Sequence, residues 1–363
     1  MRCLLVTLEY PPFYGGVANY YGHLVQAWPP EDEIVVIDNK EGQLLAPRGK
    51  WPWRRSFATL WRTLRQSHFD FLLVGQILPL GTVVWLLSFI LPIKYGVFLH
   101  GMDWGEAVAR PRKMWLAKRI LGRSALVIAV NSYTAELIKR AQPSVSGRVV
   151  IVNPGIDNVS PPFIAPEYLA SLRQRYNLDN CSILLTVGRV VERKGVDKVL
   201  EAMSQLLPYY PKLRYIIVGD GPYLKICKEL AVDLGLNEAV IFITDADDNE
   251  KAAWYQLADI FVMASRSKGS DFEGFGIVYL EANQAGKPVI AGQSGGVRDA
   301  VVDGETGLMV DPQSSEAIAQ AVRCLLDDES LRRRLGETGQ ARLSQFLWSR
   351  QARLLRNKIK EVL

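Results

Sequence analysis

Cysteine is sparse and unpaired in this sequence. Its 363 residues include four, Cys3, Cys181, Cys227 and Cys324, and no two stand in a CxxC spacing. That argues against a disulfide framework or a zinc site and suits a reducing cytosol. A G-x-G-x-x-G fingerprint after a strand is missing too, which counts against a nicotinamide dehydrogenase. No comfortable membrane span is present. The nearest approach, residues 77–93, is seventeen uncharged residues interrupted by two prolines and a glycine, at the lower limit of length for a span. It lies between two strand-like runs, where a crossover helix belongs, and reads as a buried helix. The opening run MRCLLVTLEYPP breaks at Glu9 and reads as a first strand, with no signal peptide.

Hydrophobic residues make up 48% of the chain and charged residues 22%, the proportions of a globular protein. The length suggests two or three domains with large cores. The net charge of +5 conceals a pattern: residues 1–165 carry a net +7, residues 166–331 a net −9 and residues 332–363 a net +7. A basic first half, an acidic middle and a basic tail are not one uniform surface.

Strand-like runs at 4–8, 34–38, 69–74, 95–99, 126–130 and 149–152 alternate with helical patterns. A proline-rich stretch, 161–166, reads as a linker. The alternation resumes with strand-like runs at 183–187, 215–218, 240–243, 260–264 and 288–290. Alternation on both sides of a linker predicts an α/β protein of two doubly wound, Rossmann-like domains facing across a cleft. The expected boundaries are 1–160 and 161–345, followed by a C-terminal helix, 346–363.

Two helices of the first half are basic. Over 50–67, Phe57, Leu60, Trp61 and Leu64 recur at i, i+3, i+4 and i+7, flanked by Arg54, Arg55, Arg62 and Arg65, and no acid occurs between Glu41 and Asp70. This helix either lies at a membrane surface or packs on the sheet with a solvated basic rim, and the pattern leaves both open. Residues 110–123 form the second basic helix. Trp51, Trp53 and Trp61 accompany the first helix and Trp115 the second, which points to an anionic membrane surface. Asn131-Ser132 opens another helix, with Ser132 expected at its N-cap.

The chemistry concentrates in residues 273–281, EGFGIVYLE. A polar loop precedes them, and a Gly stop at Gly286 and a buried strand follow. The helix is expected to start near Gly276, so its free N–H groups and positive dipole end face the loop and suit a phosphate. Glu273 lies before that end and Glu281 more than one turn inside. One carboxylate can reach a group beyond the phosphates and the other a group behind them, which fits a nucleotide sugar. Gly15-Gly16, between first strand and first helix, lets backbone approach a phosphate or sugar closely. Arg189 and Lys194, five apart on a strand–helix loop, suit a diphosphate, with Arg193 as a solvated neighbour. His100-Gly101 ends a strand at the carboxyl edge of a parallel sheet, where ligands bind.

The pattern E-x-F-G-x-x-x-x-E, formed by Glu273, Phe275, Gly276 and Glu281, resembles the signature of the family-4 retaining glycosyltransferases, which have the GT-B fold. The longer run RSKGSDFEGFGIVYLEANQAGKPVIAGQSGG is similar to the phosphatidylinositol mannosyltransferase branch and its exopolysaccharide relatives. The resemblance implies that Gly15 and Gly16 face the donor diphosphate. Arg189, Lys194 and the helix start at Gly276 and Ile277 would neutralise the leaving group. Glu273 would bind the donor sugar's hydroxyls, Phe275 would belong to the donor site, Glu281 would bind the ribose diol, and Asp247 and Lys251 the base. His100 would orient the donor sugar, and Tyr14, Asp103 and Asn131 would stand on the acceptor side. The segment from Phe346 would cross back to the first domain.

The activity implied is transfer of a hexosyl group, with retention, from GDP-mannose or a UDP-hexose such as UDP-glucose to a hydroxyl of a lipid-linked or polysaccharide acceptor. A carboxylate at Asp247 suits guanine, which offers two donors where uracil offers one. Thr244 stands where many relatives carry Gly, so the base-side loop departs from the family pattern. Asp245-Ala246-Asp247 is a D-x-D, a metal motif in other transferases, but two cations already suit the diphosphate, and no metal or cofactor is expected. The expected setting is a monomer or weak dimer at the cytoplasmic face of an anionic membrane, without nucleic acid. The competing class is a non-catalytic nucleotide-sugar-binding subunit of a polysaccharide assembly complex. Such a subunit is expected to have lost Glu273, Lys194 or Arg189, and all three are present.

Overall fold

The computed structural model describes residues 1–13, 15–45, 53–269 and 271–363. Tyr14, Arg48 and Trp51 lie outside the described residues. The chain divides into two compact units, Met1–Asp157 with Phe346–Leu363, and Asn158–Gln345.

The first unit is built on the strands β1 (Arg2–Val6), β2 (Glu33–Ile37), β3 (Phe71–Val74), β4 (Lys94–Leu99), β5 (Leu126–Ala129) and β6 (Val149–Ile151). They are all parallel, in the order β2-β1-β3-β4-β5-β6. The crossovers carry α1 (Gly16–Gln26), α2 (Arg54–Gln66), α3 (Leu80–Leu87), α4 (Met102–Val108), α5 (Pro111–Arg123) and α6 (Ser132–Ala141). Helices on both faces bury a parallel sheet completely, which is why its strands read as near-continuous apolar runs. Alternate residues go to opposite cores: Leu4 and Val6 to one, Cys3 and Leu5 to the other.

The 77–93 run folds around the eight-residue α3, with Leu80, Val83, Val84 and Leu87 fully buried. No described helix is long and apolar enough to cross a membrane. On α2, Leu60 is buried and Phe57, Trp61 and Leu64 pack against the same core, while Arg54, Arg55, Arg62 and Arg65 stay exposed. Of the two readings open for this helix, packing on the sheet with a solvated rim is the one its apolar face adopts. Asn131, not Ser132, caps α6: its side-chain oxygen accepts the Thr134 N–H at 2.7 Å. The extended backbone at Asn131 aims its side chain at the third helical residue, so the cap falls one position early.

The second unit runs α7 (Pro166–Arg175), β7 (Ser182–Val187), α8 (Val196–Leu206), β8 (Leu213–Val218), α9 (Leu224–Asp233), β9 (Val240–Ile243), α10 (Asp248–Leu257), β10 (Ile260–Met263), α11 (Ile277–Gln284), β11 (Val289–Gly292), α12 (Val297–Ala300), β12 (Gly307–Val310), α13 (Ser315–Asp327) and α14 (Glu329–Arg342). Its sheet is also parallel, in the order β12-β11-β10-β7-β8-β9. The last helix, α15 (Trp348–Val362), belongs to the first unit. Its Trp348, Ala352, Leu355 and Ile359 share a core with Tyr20, Tyr21 and Leu24 of α1. Its Arg356 pairs with the buried Asp32, which also holds the N-terminal ammonium at 2.6 Å.

Candidate active site

In each sheet the strand order reverses once, between β1 and β3 in the first and between β7 and β10 in the second. At such a switch point the loops leaving adjacent strands diverge, and the crevice at the carboxyl ends accepts a ligand. In the second unit these loops are 188–195, after β7, and 264–276, after β10. They are stitched together. Gly195 adopts φ +72°, and a Cβ there would come within 2.0 Å of the Ala264 carbonyl oxygen, so only glycine allows the approach. The Arg266 N–H donates to the Arg193 carbonyl at 2.8 Å. The Arg266 guanidinium holds Asp197 at 3.0 Å, and Lys268 holds Glu192 at 2.6 Å.

Glu273 sits at the centre of this junction, only 6% exposed. Its Oε2 lies 2.6 Å from Arg193 Nη1, 2.6 Å from Lys194 Nζ and 3.2 Å from the Ser265 hydroxyl. Burial alone would raise the Glu273 carboxyl, but Lys194 and Arg193 outweigh it and hold the group below its ordinary value. No hydrogen bond from a described residue reaches Oε1. The main chain of Glu273 is fixed as well: the Gly296 N–H donates to its carbonyl at 2.9 Å, and its own N–H reaches the Ser294 hydroxyl at 3.4 Å. Arg193 therefore departs from the expected solvated neighbour. It is drawn in by the buried carboxylate and also pairs with Asp271 at 3.2 Å through Nε. Arg189 is exposed, and no described residue pairs with it.

Gly276, at φ +80°, precedes α11, and the helix has no side-chain cap. A Cβ at Gly276 would meet the Tyr279 ring at 2.4 Å. That ring is buried, and its hydroxyl donates to the Met263 carbonyl at 2.9 Å, which ties the first turn of α11 to the end of β10. The N–H groups at Ile277 and its neighbour thus carry the positive end of the helix with no side-chain oxygen of a described residue capping them. Phe275 is buried beside them.

A second group of side chains surrounds Glu281. The Tyr255 hydroxyl donates to Glu281 Oε2 at 2.6 Å. Lys251 stands four residues before Tyr255 on α10, one turn away on the same face. Burial would lower the Lys251 ammonium, but Glu281 and Asp248 raise it above its ordinary value. Asp247 caps α10, its Oδ1 accepting the Glu250 N–H at 2.7 Å. Among the described residues, no group of three or more His, Cys, Asp or Glu side chains is arranged to hold a metal ion.

The first unit holds the other sequence-predicted residues. Gly15 precedes α1 in an extended conformation, and Gly16 starts the helix with nothing within 4 Å of where a Cβ would stand. At the end of β4, His100 Nε2 lies 2.7 Å from the Tyr21 hydroxyl, which lies 2.6 Å from the Gly75 carbonyl. A carbonyl only accepts, so Tyr21 donates to Gly75 and His100 Nε2–H donates to Tyr21. Nδ1 is left as an acceptor. Burial pushes the His100 imidazole down to about 4, so it is neutral at pH 7. Asp103 Oδ1 accepts the N–H groups of His100, Gly101 and Trp104 at 3.0, 2.9 and 2.9 Å. Its Oδ2 is buried with no partner among the described residues, and burial pushes the carboxyl up to about 6 against those three bonds. Asn131 is buried and occupied as the cap of α6.

The fold thus gathers Lys194, Glu273, Phe275, Gly276 and Ile277 at one switch point, and Asp247, Lys251 and Glu281 around α10 and α11. Gly15, Gly16, His100, Asp103 and Asn131 stand in the first unit. Sequence reasoning set Arg193 aside as a solvated neighbour and missed Ser265 and Tyr255. The spacing of Tyr255 from Lys251 on a helix is the one available signal for it.

Residues 171–342 match the family described as Glycosyl transferases group 1, and residues 14–159 match Glycosyltransferase Family 4. The chain is 31% identical to a GDP-mannose-dependent alpha-(1-6)-phosphatidylinositol monomannoside mannosyltransferase of Mycolicibacterium smegmatis, over 97% of this chain and 96% of that one. It is 27% identical to a GDP-mannose-dependent monoacylated alpha-(1-6)-phosphatidylinositol monomannoside mannosyltransferase of Corynebacterium glutamicum, over 98% and 97% of the two chains. The crystal structure of Anabaena HepE in complex with UDP matches with a TM-score of 0.82 at 19% identity, covering 99% of this chain and 100% of that one. At that identity the likeness concerns the fold. With both sheets doubly wound and both halves matched, the chain belongs to the family-4 glycosyltransferases and has their two-domain, Rossmann-like GT-B fold.

Proposed function

We propose that the protein is a retaining hexosyltransferase that uses GDP-mannose in preference to a UDP-hexose and acts on a hydroxyl of a lipid-linked or polysaccharide acceptor. The observation that carries this reading is the buried Glu273 carboxylate set against Lys194 beside an uncapped helix start. A sugar diphosphate needs both: an acceptor for its hydroxyls and positive charge for its phosphates. In the proposed step the bond from the anomeric carbon to the diphosphate oxygen breaks. The acceptor oxygen bonds to that carbon on the same face, and its proton passes to the departing phosphate. Arg189, Lys194 and the N–H groups of α11 stabilise the growing negative charge, which is usually the largest catalytic contribution. Glu273 accepts from the sugar hydroxyls and Glu281 from the ribose diol. His100, as a neutral imidazole, is assigned to the donor sugar on the family resemblance.

The donor preference is supported by Asp247 and Lys251 on α10 and by the names of the mannosyltransferase relatives. The test is incubation with GDP-mannose and UDP-glucose, following donor breakdown and then the anomeric configuration of the product by NMR. Retained configuration with GDP-mannose is expected. Inversion overturns the mechanism. Tight binding with no turnover of any donor, with or without acceptor, favours the non-catalytic subunit instead. Activity is expected to survive EDTA, and loss restored by manganese overturns metal independence.

The working place we propose is the cytosolic face of an anionic membrane. α5 supports this better than α2, whose apolar face is packed. Arg112, Lys113, Arg119 and Arg123 are exposed on α5, which carries no acid. Trp115 is 56% exposed beneath the Arg119 guanidinium, and Arg123 covers Phe89, itself 61% exposed. Cations around exposed aromatic rings suit the headgroup layer.

A further inference from the structure

Arg193 is not needed to neutralise Glu273 in a site where Lys194 already does so, yet the two cations converge on one oxygen. Both lie 2.6 Å from Glu273 Oε2, and their side chains are 24% and 12% exposed. The doubling has a use once a diphosphate arrives. Lys194 is a point charge on a flexible stem and turns readily to a phosphate oxygen. Glu273 would then be a buried carboxylate with its main counter-ion withdrawn, which is costly unless another cation stays. Arg193 is built to stay. Its guanidinium is a planar fork, with Nη1 on Glu273 and Nε on Asp271 at 3.2 Å. Its main chain is fixed too, its carbonyl accepting the Arg266 N–H at 2.8 Å. The turn that carries it is held by the Lys268–Glu192 and Arg266–Asp197 pairs.

We infer that Arg193 is a positioning residue for transfer: it holds the charge and orientation of Glu273 while Lys194 turns to the donor diphosphate. This rests on the proposed function, because it needs Lys194 to engage a phosphate. Arg193 itself touches neither sugar nor phosphate. The groups facing Glu273 are Arg193 and Lys194 from the turn before α8, the Ser265 hydroxyl after β10, Asp271 through Arg193, and the Tyr279 phenol from α11, which burial and Glu273 both push up. None of the others can replace a guanidinium.

The test uses the full chain with Arg193→Gln and Arg193→Lys. The Gln variant is expected to keep nucleoside diphosphate affinity within about twofold, while kcat falls about tenfold or more, the loss of one charged hydrogen bond. The acid limb of kcat is expected to move up by about one unit, because a cation no longer favours the Glu273 carboxylate. Arg193→Lys is expected to restore most of the turnover and the limb. A loss of diphosphate affinity as large as the loss of turnover would make Arg193 a phosphate ligand and overturn the inference. An unmoved acid limb overturns it equally. A second measurement needs no substrate. The thermal midpoint of Arg193→Gln is expected to lie below that of wild type at neutral pH and the gap to narrow on acidification, because the more strongly depressed Glu273 carboxyl of wild type has more stability to lose as it is protonated. That difference is expected to vanish in a Glu273→Gln background. Its persistence there refutes the coupling. If wild type turns over no sugar nucleotide, the proposed function fails on that result alone, and this stability cycle still decides whether Arg193 holds Glu273.

Discussion

Glu281→Ala separates what a carboxylate does for a ligand from what it does for the fold. Glu281 Oε2 takes the Tyr255 hydroxyl, and no described residue donates to Oε1. If Glu281 binds the ribose diol, the variant loses at least one hydrogen bond to a charged acceptor, worth about 1.5–3 kcal/mol. Nucleotide affinity should then fall about 10- to 150-fold. The fold loses something different. Tyr255 is 4% exposed, and its hydroxyl is left with no acceptor, a cost of about 1–3 kcal/mol. For a unit of this size that lowers the melting temperature by about 2–4 °C per kcal/mol. Calorimetric titration with GDP and with UDP reads the first effect and thermal melting the second. Tyr255→Phe added to Glu281→Ala removes the orphaned hydroxyl, so it should recover stability without recovering affinity. Equal nucleotide affinity in wild type and Glu281→Ala would refute the ribose assignment. Recovery of affinity in the double variant would show that the loss was structural.

Lys194→Ala is expected to depress kcat by more than it weakens nucleoside diphosphate binding, and a variant that keeps full kcat removes Lys194 from the leaving-group role. The pH dependence of stability should reveal His100 and Asp103 as opposing neighbours. His100 is lowered from 6.5 to about 4 and Asp103 raised from 3.8 to about 6. On acidification from pH 6 to 4 the unfolded chain gains a proton at His100, which destabilises the fold, while the folded chain gains one at Asp103, which stabilises it. Relative to wild type, Asp103→Asn should lose stability more steeply over that range and His100→Gln less steeply; parallel curves for all three would discount both shifts. Co-sedimentation with vesicles should require anionic lipid and weaken with salt. Changing Arg112, Lys113, Arg119 and Arg123 to Ser should reduce it about 100-fold or more, at roughly 1 kcal/mol per cation, and more than the same change at Arg54, Arg55, Arg62 and Arg65. Equal recovery with neutral and anionic vesicles would sink the membrane placement.

The fold was legible because parallel strands buried on both faces leave apolar runs that polar and glycine-rich turns punctuate, and both sheets show that pattern. The helix start at Gly276 was legible for a similar reason, since few other residues accept φ +80° ahead of an aromatic at the third helical position. Pairings between distant segments left no such trace. Nothing in the sequence around Arg193 says that it meets Glu273 eighty positions later, because that contact depends on β7 and β10 being neighbours at the switch point. The basic amphipathic pattern of α2 was ambiguous for a physical reason: a helix packed on a sheet and one lying on a membrane need the same apolar face. Only the packing of Phe57, Trp61 and Leu64 against the core separates them.

The carboxylates assigned to the donor share a way of being held. Glu273, Glu281 and Asp247 each give one oxygen to the protein, to Arg193, Tyr255 and the Glu250 N–H respectively. In none of them does a hydrogen bond from a described residue reach the second oxygen. A carboxylate fixed through one oxygen has already lost its rotamer freedom, so a ligand that uses the other oxygen does not have to order it again. The arrangement also limits what a substitution by the amide can preserve. Gln at 281 can still accept the Tyr255 hydroxyl through its carbonyl oxygen, but it then presents an NH2 donor where the ligand expects an acceptor. The amide therefore keeps the fold and reverses the hydrogen-bonding sense toward a diol, which also brings donors of its own. Arg189 completes the pattern from the opposite sign, an exposed guanidinium with no described partner. Charge is committed to the protein where it fixes geometry and left uncommitted where a sugar diphosphate would arrive.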